Sequence, residues 1–139
     1  MTVWKWRQQT QAKADQPQSG AAQRTLRWKT YSSETGYVYQ YVLRGCRPWQ
    51  RNGDDGFEYI FHASRDRKEV FEVRVLLAAA TIAEWNRRHA TELRDAERYA
   101  VAKLSLLAAF DEYQTQDAFS EPIRPGLEMI EESMVKLGL

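Results

Sequence analysis

The residue types that can do chemistry are few in this chain and widely spaced. Cys46 stands in Gly45-Cys46-Arg47-Pro48-Trp49, where basic neighbours can lower a thiol pKa. A nucleophilic cysteine also needs a base, and His62 suits that role better than His89. His62 and His89 fall on different expected elements, with no second His or Cys at metal-ligand spacing, so neither a metal site nor a cofactor is expected. Asn52-Gly53-Asp54-Asp55-Gly56 has adjacent carboxylates but lacks the alternating ligands and distal Glu of a calcium loop. It also lacks the Lys-Ser/Thr of a phosphate loop, and it reads as a flexible turn. A small enzyme built on Cys46, His62 or a carboxylate is the least favoured reading.

The second chemical possibility is recognition of an anionic polymer. Residues 1–74 hold 13 Lys and Arg against 8 Asp and Glu, and residues 75–139 hold 7 against 11, so a +5 half precedes a −4 half. Such an asymmetry can steer an anionic partner to one side, or draw the two halves together within a monomer or dimer. Tyr37, Tyr39 and Tyr41 alternate along one segment beside arginines. If they face outward they form a platform for unpaired bases, each stack being worth ~1–3 kcal/mol. The competing reading puts these rings in the core or at its rim. The single-stranded nucleic-acid reading uses Arg27, Lys29, Arg44, Arg47, Arg51 and Arg74 for phosphates, and Trp28, Tyr31 or the row of Tyr37, Tyr39 and Tyr41 for stacking.

The elements that must position these residues follow from periodicity. Three segments alternate aromatic and β-branched residues: Tyr37–Leu43, Phe57–His62 and Val70–Leu76. Thr25–Tyr31 supplies a possible further strand, joined to Tyr37 by the turn residues Ser32-Ser33-Glu34-Thr35-Gly36. Gly45, Pro48, Asn52, Gly53 and Gly56 favour a longer loop before the next strand, and Arg65–Lys68 is a short polar connection. One sheet face then carries Leu26, Trp28, Tyr37, Tyr39, Tyr41, Phe57, Tyr59, Phe61, Phe71, Val73 and Val75. The other is mixed and mildly basic, with Arg44, Glu58, Ile60, His62, Glu72 and Arg74. A single bulge would reverse this division locally.

Helices follow the strands. Thr81-Ile82-Ala83-Glu84 fits a capping box, opening a short helix to about Arg88. A longer helix from about Glu92 to Tyr113 places Leu93, Ala96, Tyr99, Ala100, Leu104, Leu107 and Phe110 on one arc, with Arg94, Arg98, Ser105 and Glu112 opposite. Lys103 falls inside the arc and is expected to lay its methylenes over the core while its charge reaches solvent. Gln114–Gly126, with Pro122 and Pro125, reads as an extended connection. Leu127, Ile130, Met134 and Leu137 then stripe a short amphipathic helix that must dock on the domain or on a partner.

The expected fold class is therefore α+β: an antiparallel meander of three or four strands, followed by two or three helices packed on one sheet face. Residues 1–23 read as a flexible N-terminal tail, rich in Gln, with Trp4 and Trp6 alternating with Lys5 and Arg7 as a short strand, a docking peptide or an irregular end. Residues 24–139 read as a single domain. No apolar run reaches the ~20 residues of a membrane span, and the N-terminus lacks an apolar signal core, so a cytoplasmic location without membrane contact is expected. The leading functional expectation is a non-catalytic protein-interaction module that binds a protein partner or itself as a homodimer. It rests on five Trp, seven Tyr and the terminal helix, whose Leu127, Ile130, Met134 and Leu137 would meet the partner. Single-stranded nucleic-acid binding is the alternative.

Overall fold

In the computed structural model, which describes residues 27–138, four antiparallel strands form a sheet in chain order: β1 (Lys29–Ser32), β2 (Val38–Arg51), β3 (Asp54–Arg65) and β4 (Val70–Ala78). Helices α1 (Ala79–His89), α2 (Asp95–Glu112) and α3 (Leu127–Lys136) follow, with a 3₁₀ turn at Gln116–Ser120. This is the expected α+β meander with helices on one face. The tail 1–23, Trp4, Trp6, Thr25 and Leu26 lie outside the described residues. Among the described residues, no helix is long and apolar enough to cross a membrane.

β2 and β3 run past the expected loop at residues 45–56. Arg51 pairs with Asp54, leaving only Asn52 and Gly53 in the turn, with φ of 53° and 80°. Two positive φ values match the right-handed twist of a hairpin, and Asn-Gly is the pair that tolerates both. The Gly and Pro residues of this stretch therefore do not break the strand. Gly45 follows a bulge at Arg44, where the register shifts between Leu43 and Gly45. Pro48 lies in β2 beyond the part that pairs with β1, where its missing N–H costs no bond to that strand.

The bulge reverses side-chain parity along β2. Before it, Tyr39 and Tyr41 face inward; after it, Cys46 does, opposite Tyr59. The inner face is thus Tyr39, Tyr41, Cys46, Tyr59, Phe61, Ala63, Val73, Val75 and Leu77, all contributing to one core. α2 lies on this face. Phe110 stacks on Tyr39 with ring centroids 3.9 Å apart and an interplanar angle of 6°. Phe119 of the 3₁₀ turn meets both rings edge-on.

The helices depart from expectation in three places. α1 begins at Ala79, directly from the strand, so Thr81 lies inside its first turn and no capping box forms there; Glu84 instead pairs with Arg87 and Arg88. The Glu97 carboxylate caps α2 by accepting from the Arg94 N–H at 2.8 Å. The buried stripe of α2 is also rotated: Val101, Ala102, Ser105, Leu106, Ala109 and Phe110 are enclosed. α2 packs on the sheet and also on α3, so a second side is covered, and Ser105 satisfies its hydroxyl by donating to the Val101 carbonyl at 2.7 Å. Lys103 is partly exposed.

The connection before α3 is pinned to the sheet. Ile123 bridges Val75 in parallel, donating to the Arg74 carbonyl and accepting from the Leu76 N–H, each at 2.8 Å. α3 then buries Ile130, Ser133 and Met134 in the domain's own core.

Candidate functional site

The face of the sheet away from the helices carries an ordered cluster of charge. Cross-strand pairing sets Arg47 opposite Glu58, and Glu58 opposite Leu76. Arg74, two residues before Leu76 on β4, points to the same face. The Arg47 Nε donates to Glu58 Oε1 at 2.6 Å, and an Arg74 Nη lies 3.5 Å from Glu58 Oε2. The Glu58 side chain is only 5% exposed, while those of Arg47 and Arg74 are 65% and 37% exposed. One buried carboxylate therefore orients two guanidiniums whose remaining N–H groups are open to solvent. Pairing offsets the cost of burying that charge.

Trp49 extends the cluster. It is on the same face, opposite Gly56, which has no side chain to stand between Trp49 and the β4 edge. From beyond that edge the Arg124 guanidinium reaches over the Trp49 ring, 5.3 Å from its centroid. Arg124 is exposed. Gly56 is required here for backbone reasons as well: a Cβ on it would lie 2.2 Å from the Leu77 carbonyl oxygen and 2.9 Å from the Ala78 Cα. Chemically the cluster offers planar N–H donors for carboxylate or phosphate groups, beside one indole.

The residues named from sequence do not all meet here. Arg47 and Arg74 converge on Glu58. Arg44 is exposed at the bulge on the same strand. Arg27 and Trp28 are exposed just before β1, and Lys29 is exposed at its start, paired with Tyr41. Arg47 is six residues past Tyr41 on β2, roughly 20 Å along the strand from Lys29 at ~3.3 Å per residue. Tyr39 is fully buried under Phe110 and cannot stack a base, which corrects its assignment to a nucleic-acid surface. The assigned partner stripe on α3 is corrected as well. Ile130 and Met134 are enclosed, Leu127 packs partly against the core, and Leu137 lies past the helix end at 44% exposure. The stripe faces the core because α3 packs against both α1 and α2.

Trp49, Glu58 and Arg124 were not singled out from sequence. Reading Asn52-Gly53 as a two-residue hairpin turn would have extended both strands and put Arg47, Trp49 and Glu58 on one face. No sequence signal brings Arg124 there, since its position depends on the Ile123 bridge.

The other candidate groups are structural. Burial pushes the Cys46 thiol up to about 11, against the partial help of Tyr59 and Arg98, so it is not a poised nucleophile. Tyr59 is raised too, chiefly by burial. Arg98 lies 4.6 Å over the Phe57 ring, pairs with Asp95, and donates to the Leu93 carbonyl at 2.8 Å. His62 is on the outer face, opposite Glu72 and away from the inward Cys46. His89 stacks on Trp85 at 4.3 Å and reaches Glu131 at 3.0 Å, tying α1 to α3. Tyr31 donates to Asp111 at 2.7 Å, and this bond, with burial adding to it, pushes the phenol up to about 12. Among the described residues no three His, Cys, Asp or Glu side chains gather as a metal site. In comparisons with known proteins, no family model, curated protein or solved structure matches this chain.

Proposed function

We propose that this protein is a small non-catalytic interaction module that binds acidic protein surfaces through its outer sheet face and associates with itself. The observation that carries the reading is the pair of guanidiniums held by the buried Glu58 beside Trp49 and Arg124. Arginine and tryptophan are the side chains that most often anchor interfaces. Side chains already held in place lose less freedom on binding, so more of the contact energy remains. The acidic half of a second copy, at −4 for residues 75–139, supplies a complementary surface.

Sedimentation velocity over a range of concentrations, at low and high salt, tests this. Salt-sensitive association that Arg47→Glu/Arg74→Glu weakens is the expected result. A monomer at every concentration removes the self-association.

One observation favours a second reading, single-stranded nucleic-acid binding: the same two guanidiniums can engage phosphates while Trp49 offers an indole for stacking. Arg44 and Arg51 on β2 would extend the phosphate track. Anisotropy of a labelled mixed-sequence oligonucleotide at low and then high salt separates the two, since phosphate contacts give binding that falls steeply with salt. Absence of binding at low salt sinks this second reading.

A further inference from the structure

A groove of about 500 Å³ runs between the C-terminal half of α2 and the stretch from Ile123 to Glu132. Its apolar lining includes Ala108, Ile123 and Met129, and carboxylates stand on its rim at Glu112, Glu128 and Glu132. All three glutamates are exposed. Arg124 is the one cation of the lining, and its guanidinium is engaged over Trp49. The groove thus pairs an apolar floor with a rim of net charge −2, and it shares Arg124 with the arginine cluster.

We propose that this groove receives the Trp4-Lys5-Trp6-Arg7 segment of the same chain. Three properties of the molecule select this occupant. The first is charge: residues 1–9 carry Lys5 and Arg7 and no Asp or Glu, matching the glutamate rim. The second is pattern. In an extended segment alternate side chains point to opposite sides, so Trp4 and Trp6 enter the apolar floor together while Lys5 and Arg7 face the rim. A groove of ~500 Å³ is within the ~300–1,000 Å³ range of sites that enclose ring-sized groups. The third is reach. Arg27, where the described fold begins, is twenty residue steps from Arg7. Extended at ~3.3 Å each they span ~66 Å, well beyond the diameter of a domain whose radius of gyration is about 13 Å. A tether of this length holds the segment at an effective concentration near millimolar, enough to populate a contact that would be weak between separate molecules.

This inference does not rest on the arginine cluster or on its proposed partner. Its test uses the full chain with 5-fluorotryptophan at all five Trp positions, each ¹⁹F signal assigned by single Trp→Phe variants. The expected result is that the Trp4 and Trp6 signals lie away from those of a free Met1–Gln9 peptide. They should return toward the peptide values in Glu128→Lys/Glu132→Lys, and at ~1 M salt, where charge is screened within ~3 Å. Adding Lys5→Glu/Arg7→Glu to the groove variant should restore the displaced signals. An unchanged signal from the buried Trp85 and an unchanged far-UV circular dichroism spectrum in each variant establish that the fold is intact. If the displacement fades on dilution, the segment docks in the groove of a second copy, and the pairing of segment with groove stands. Trp4 and Trp6 at peptide values in the parent chain at every concentration would overturn the proposal. So would a displacement that neither charge reversal nor salt reduces.

Discussion

Replacing Tyr39 by Phe should stabilise this protein, although Tyr39 is among its most buried residues. The ring is fully enclosed and lies flat on Phe110, and its hydroxyl has no hydrogen-bond partner. The Arg65 guanidinium comes near enough to favour the ionised phenol slightly, but without hydrogen-bond geometry, and burial dominates by raising the phenol pKa. An unpaired buried hydroxyl costs ~1–3 kcal/mol, and phenylalanine removes that cost while keeping the stack and its shape. Partial compensation by Arg65 puts the expected gain near the lower bound, about 1 kcal/mol. For a chain of this size that raises Tm by about 3–5 °C. Tyr39→Ala removes the stack and leaves a cavity, and should lose ~3–5 kcal/mol. Urea unfolding followed by tryptophan fluorescence reads both. A loss of ~1 kcal/mol or more in Tyr39→Phe would refute the reasoning, because it would mean that the hydroxyl makes a bond the geometry does not contain.

Two further outcomes follow from the same structure. Gly56→Ala should destabilise by several kcal/mol, because the added Cβ meets the backbone at 2.2 Å from the Leu77 oxygen and no rotamer change can relieve it; unfolding at parental urea concentrations would show the β3–β4 contact to be looser than described. Cys46, half-buried on the inner face, should react with a disulfide reagent well below the rate of an unfolded control. Its thiol, raised from 9.0 to about 11, binds its proton more tightly when folded, so this contribution to stability is full below pH ~9 and is lost as pH rises towards 11. Thiol labelling at pH 8 at the rate of an unfolded control would contradict it.

Much of the fold could be read from alternation. The inward positions of Tyr59, Phe61, Val73 and Val75 follow from β3 and β4 running without a bulge where they pair, so a period of two assigns each face correctly. β2 defeats the same reasoning at Arg44, because a bulge depends on how two strands accommodate each other and leaves no mark in the period of one. The expected loop at 45–56 shows a different limit. By type Gly45, Pro48 and Gly56 read as strand breakers, while the one decisive signal, Asn52-Gly53, specifies a tight turn. On α2 the 3.6-residue arc located Phe110 and Tyr99 but set Ser105 outward, since one helix's sequence does not reveal that a second helix will cover its side.

The candidate cluster was legible in part for the same reason. Arg74 and Glu58 could be placed on one face from the strands alone, whereas Arg47 needed the hairpin turn at Asn52-Gly53, which sets it opposite Glu58. The bulge reconciles that register with the one upstream. If β2 ran on from the Leu43–Phe61 pair without it, Cys46 would face outward opposite Glu58 and Arg47 would meet Phe57 on the inner face. With it, the thiol is turned inward and half-buried, and the guanidinium reaches Glu58. A register change of one residue thereby exchanges a buried charge for a surface ion pair, and the free-energy difference between those alternatives is of the order of several kcal/mol. The bulge at Arg44 is therefore tied to the arginine cluster through the two registers it joins. Arg44 is the residue left unpaired, so deleting it should close the ladder with Leu43 still opposite Phe61, Cys46 opposite Tyr59 and Arg47 opposite Glu58. Cys46 should then label no faster than in the parent chain and the Arg47–Glu58 pair should persist; a freed thiol, read by labelling, would refute this register.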